Sequence, residues 1–141
     1  MLERLHEHID MELHVNTRTD TIFVVTAVVF NFVMLGISTS QAAEATSTDT
    51  RHAATAQIVL FITLALSVIV NGIAIAGLMT GRATRRKLQQ GLLMMYKDAE
   101  IDKYYDESLL TNYMRRYVLF VAIIAILGVT AILIPLVVLL T

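Results

Sequence analysis

The chain has no cysteine, no tryptophan and one proline, and three long stretches of it carry no charge at all. Without cysteine there is no disulfide, no thiolate nucleophile and no cysteine-ligated cluster. Thr21 to Gly36, Ala53 to Met79 and Val118 to Leu140 contain no Asp, Glu, Lys, Arg or His, the pattern of membrane-spanning helices. The same absence leaves no intramembrane proton relay, haem ligand or charged coupling-ion site, which argues against energised transport and electron transfer by this chain alone. Neither a Gly-rich phosphate loop nor a nucleophilic serine motif occurs. No enzyme activity and no cofactor are expected.

What is present is mostly apolar. With 56% hydrophobic residues and a mean hydropathy of +0.66 over 141 residues, the chain is too apolar for an ordinary soluble domain. The longest polar interval, Thr80 to Arg116, is too short for a second core, so one membrane domain is expected. The first apolar stretch follows twenty mostly acidic and apolar residues rather than a short basic region, so it is expected to be a retained anchor and not a signal peptide.

Charge sorts along the chain. Glu3, Glu7, Asp10, Glu12 and Asp20 outweigh Arg4 and Arg18 in the N-terminal arm, while Arg82, Arg85, Arg86 and Lys87 crowd the end of the second span and Arg115 and Arg116 open the third. Only Arg51 lies in the first connection. The positive-inside bias then makes the second connection and the N-terminus cytoplasmic and the C-terminus external. Tyr113 and Tyr117 are placed for an interfacial aromatic belt. The basic patch reads as topology signal and lipid headgroup contact through Arg82, Arg85, Arg86 and Lys87, not as a nucleic-acid site.

Leu2, Leu5, Ile9 and Leu13 recur at spacings of three and four, which predicts an amphipathic helix in the arm. Its acidity makes the basic second connection a better partner than anionic lipid. In that connection Leu88, Leu92, Met95 and Ala99 keep a 3.6-residue period, and Leu109, Leu110, Tyr113, Met114 and Tyr117 resume it. The pattern favours a helical hairpin projecting from the membrane, with its turn near Asp98 to Asp106, over a break at Gly81. Fifteen extra residues would project roughly 22 Å.

Two asparagines interrupt the spans. Asn31 lies eleven residues from Asp20, and Asn71 eleven residues from Arg82 on an antiparallel neighbour, so both reach roughly 16 Å deep, near the midplane of a core about 30 Å thick. They are expected to meet, either as an interhelical amide pair or, with Thr63 and Ser67, as the polar lining of a pore. Gly72 with Ala76, and Gly77 with Gly81, form small-residue seams that suit another helix, and Gly128 does similar work on the third span between Ala125 and Ala131. Pro135 is expected to bend that span near its end. His6, Asp10 and His14 fall on one helical stripe, a weak candidate metal or pH-sensing set that spans roughly 12 Å and would need ligands from elsewhere.

The fold expected is an all-α integral membrane protein. It has a short amphipathic N-terminal helix (1–19), three transmembrane helices (21–39, 54–80 and 117–140), an outer loop (40–53), and a cytoplasmic helical extension of the second and third spans (81–116). The function expected is non-enzymatic assembly, as a homo-oligomer or a subunit of a larger membrane complex, in a lipid bilayer. A passive oligomeric pore is the alternative, and a metal- or pH-responsive regulator a weaker one.

Overall fold

The computed structural model describes the backbone of residues 2–47, 49–100 and 108–140, and the side chains of 4, 6–47, 49, 51–100 and 115–140. Three helices account for nearly all of it: α1 (Leu2–Ala45), α2 (Thr50–Asp98) and α3 (Ser108–Leu140). All three are long and apolar enough to cross a membrane, and together they form an all-α, multi-pass bundle in contact with lipid. Large apolar side chains on the outside, such as Phe32, Phe61, Ile73 and Ile126, belong to that contact. In water they would be a liability; in hydrocarbon they are the solvated surface.

The helices run well past a hydrocarbon core. At 1.5 Å per residue α1 is about 66 Å long and α2 about 73 Å, against about 30 Å of hydrocarbon. The arm is helical, as its pattern predicts, but it is continuous with the first span: no break separates 1–19 from 21–39. α2 likewise passes through Gly81 without interruption to Asp98, which is the projecting arrangement. The turn predicted for Asp98 to Asp106 begins where α2 ends; residues 101–107, and the side chains of Leu109, Leu110, Tyr113 and Met114, lie outside the described residues. At the other end helix persists to Ala45 and resumes at Thr50, so the expected loop 40–53 is shorter than its polarity suggested. Ser, Thr and Ala there are tolerated in a helix end, and Asp49 caps α2 by accepting from the backbone N–H of Arg51 at 3.1 Å.

Buried positions recur at an interval of eleven. On α1 they include Ile9, Asp20, Asn31 and Ala42; on α2, Ala56, Ser67, Leu78 and Gln89, with Thr63, Ala74 and Arg85 beside them; on α3, Tyr117 with Gly128 and Ile124 with Pro135. Eleven residues make three turns of about 3.67 residues, close to the natural helical period and slightly right-handed in the supercoil it favours. A helix with this repeat keeps one face on its neighbours over a great length without strong winding. The seam between α1 and α2 therefore continues beyond the apolar core, where Ile9 is buried and His6 stands 5.9 Å from Tyr96, ring to ring. The acidic arm packs on α2, the partner its charge pointed to.

Two apolar clusters fill the bundle. Ala27, Ala74, Leu78, Tyr117 and Ile124 form one, with Phe23 and Phe120 against it. Ala42, Leu60 and Leu64 form the other, with Ile132 and Leu136. Pro135 is buried in α3, which continues through it to Leu140; the missing N–H leaves the Ala131 carbonyl without its usual helical donor.

Candidate functional site in two buried polar layers

Between the two apolar clusters lies a polar layer made by α1 and α2. Asn31 donates from Nδ2 to Asn71 Oδ1 at 2.8 Å, and Asn71 returns the bond to Asn31 Oδ1 at 2.9 Å. Each amide then spends its second proton on its own helix, Asn31 on the Ala27 carbonyl and Asn71 on the Ser67 carbonyl, both at 2.8 Å. All four donor protons are used, and each side-chain oxygen accepts one bond. Both residues are buried. This closed arrangement suits a medium without water, where an open donor is costly.

The third helix reaches this layer through Gly128. A methyl group there would stand 3.1 Å from the Asn71 Cγ and Nδ2, so glycine lets α3 lie against the amide pair without displacing it. Thr63 bonds back to the Val59 carbonyl at 2.8 Å, and the Ser67 hydroxyl is buried without a partner. Thr63, Ser67 and Asn71 thus share the inward face of α2, but Asn71 alone of the three reaches across to another helix.

A second polar layer lies eleven residues away, at the basic end. Asp20, buried on α1, accepts from the Tyr117 hydroxyl of α3. Arg85 of α2 also hydrogen-bonds that hydroxyl and donates from Nη2 to Thr17 Oγ1 at 2.6 Å. Thr17 in turn donates to the Leu13 carbonyl at 2.8 Å. The positive charges of Arg85 and Arg116 both act on the Asp20 carboxylate. A tyrosine hydroxyl is thus interposed between a buried acid and a buried base, and the three groups come from three different helices. Asn16 adds a bond to the Gly81 carbonyl at 3.1 Å. A space of about 10 Å³ bordered by Thr17, Asp20, Arg85 and Arg116 has room for about one water molecule.

This layer corrects several sequence expectations. Arg85 is not a headgroup contact: its side chain is buried in the network, while Arg86 and Lys87 are exposed and Arg82 is half-buried. Gly77 and Gly81 are not free seams. A methyl at Gly77 would press on the Phe23 ring at 3.3 Å, and one at Gly81 would overlap the Asp20 carboxylate, so both already serve the contact with α1. Gly72 and Ala76 do remain on the exposed face, with nothing within 4 Å of Gly72. Asp20 read as a span boundary and Tyr117 as a belt residue. The signal that would have found them is the interval: Asp20 precedes Asn31, and Tyr117 precedes Gly128, by the same eleven residues.

The histidine stripe does not converge. His6, Asp10 and His14 are exposed, His6 turns to Tyr96, and among the described residues no three His, Asp or Glu side chains come together as a metal would require. Comparison with family models, with curated proteins and with solved structures finds no match to this chain.

Proposed function

We propose that the chain is a non-enzymatic membrane scaffold that acts by assembly, as a homo-oligomer or as a subunit of a larger membrane complex. The observation that carries this reading is the reciprocal Asn31–Asn71 pair. Its protons are consumed within one chain, so the deepest polar groups hold the bundle together rather than offering a site to a solute. The binding surface left is the outer one, where Gly72 and Ala76 open a shallow strip among Ile69, Ile73 and Met79. Small residues let a further helix approach there.

The arginine-rich end of the bundle faces the cytoplasm in this proposal, with the N-terminus on the same side and the C-terminus opposite, as the positive-inside bias requires. Cysteines introduced one at a time at Ser47 and Lys97 should react with a membrane-impermeant thiol reagent from opposite sides.

The assembly is tested by the mass of the protein in lipid nanodiscs. An oligomer, or a copurifying membrane protein, is expected, and Gly72→Leu should dissociate it without unfolding the chain. A strictly monomeric protein with no copurifying partner would overturn the reading. Solute flux through reconstituted vesicles that disappears in Asn31→Leu while the oligomer survives would replace it with a pore.

A further inference from the structure

We infer that the α2–α3 groove at the basic end is a binding site for one anionic phospholipid. It goes beyond the assembly proposal and stands without it, because a single chain supplies every group involved. The groove has a volume of about 120 Å³ and is lined by Leu78, Met79, Arg82, Tyr117, Val118 and Val121. That is well below the roughly 300 Å³ at which pockets for soluble small molecules begin. It is many times the single-water space of about 10 Å³ beside Asp20, enough for a short run of methylenes. Met79 and Val118 at its lips are more than half exposed, so the slot opens sideways, toward lipid, and a chain entering it continues into the bilayer.

Chemistry along the groove matches the order of groups in a phospholipid. On α2 the same face passes from Met79 to Arg82 and, one turn on, Arg86; on α3 it passes from Val118 to Arg115. Both walls are apolar on one side of this level and cationic on the other. The Tyr117 hydroxyl is engaged with Asp20, which fixes its ring between the polar network and the slot. An acyl chain lies on Leu78, Met79, Val118 and Val121, and the phosphate meets Arg82, with Arg86 and Arg115 adding attraction for an anionic headgroup. A zwitterionic lipid offers the same chain and phosphate but brings a cation toward these arginines, so the site prefers anionic lipid.

The experiment is native mass spectrometry of the full chain released from micelles containing phosphatidylglycerol or phosphatidylcholine with identical acyl chains. One retained phosphatidylglycerol is expected, in preference to phosphatidylcholine. Arg82→Gln should lower its retention about fivefold, the usual effect of one basic residue at a membrane surface, while Arg82→Lys keeps most of it. Val118→Trp fills the lip of the slot without changing charge and should abolish retention; Lys97→Gln, far along the projecting helix, should do nothing. Equal retention of the two lipids, or equal loss in Lys97→Gln and Arg82→Gln, would overturn the proposal. So would retention indifferent to Val118→Trp, or lipid displaced by millimolar inorganic phosphate, since either reduces the site to a phosphate contact. Circular dichroism checks folding, and Val118→Trp decides the matter alone if Arg82→Gln misfolds.

Discussion

The Asp20 carboxylate accepts the Tyr117 hydroxyl across 97 residues of chain, joining the first helix to the third at a level where the second contributes Arg85. A buried acid at a bundle end is costly unless charge and hydrogen bonds answer it. Here both act on it, and the neutral hydroxyl lies between the acid and the Arg85 guanidinium.

Tyr117→Phe removes one donor and leaves the rest of that network in place. It should cost about 1–3 kcal/mol, the usual penalty for orphaning a buried acceptor. Arg85→Met strips the acid of its buried counter-charge and should cost more, about 3–5 kcal/mol. Asp20→Asn keeps an acceptor for Tyr117 and should be milder than Arg85→Met. Reversible unfolding in mixed micelles gives the order, and a Tyr117→Phe variant as stable as the parent would remove the hydroxyl from this role.

Asn31→Leu and Asn71→Leu should each destabilise the bundle by about 1–2 kcal/mol, since the surviving amide loses its partner in an apolar medium. The double variant should cost less than the two singles together, because no amide is then left unpaired. Their coupling is expected near 0.6 kcal/mol and under about 2 kcal/mol. Strict additivity would mean that the two amides do not depend on each other.

The glycines should divide by what faces them. Gly81→Ala drives a methyl into the Asp20 carboxylate and Gly128→Ala sets one 3.1 Å from Asn71; these should lose about 1–3 kcal/mol, as overpacked sites do, with Gly81 the worse. Gly36→Ala and Gly72→Ala meet open space and should be neutral or gain up to about 1 kcal/mol of helix propensity. Thermal unfolding of the four single variants is sufficient; equal effects would show that the contacts at Gly81 and Gly128 do not limit helix approach.

The three spans, the projecting second helix and the matched depth of Asn31 and Asn71 were legible because each rests on a pattern within one segment: an uncharged run, a 3.6-residue period, a residue count from a charged border. The Asp20 layer was not. A charged residue beside an apolar run has the same appearance whether it meets headgroups or turns inward, and Arg85 sits beside Arg86 and Lys87, which stay exposed. Nor does a small-residue pair say which neighbour uses it, so Gly77 and Gly81 looked available when Phe23 and Asp20 already occupy that face. The continuity of α1 was hidden by composition: the arm is polar and the span apolar, yet neither Gly nor Pro separates them, and the eleven-residue stripe runs unbroken from Ile9 to Ala42.

That continuity has a mechanical side. α1 and α2 are rods with no joint where they leave the apolar core, and they are clamped to each other at Asn31–Asn71 and to the third helix at Tyr117. For such a pair to fold down onto the membrane surface, both helices would have to break. The tip of α1 at His6, where it meets Tyr96, stands about 37 Å along the helix from Asn31, the 25 residues between them at 1.5 Å each.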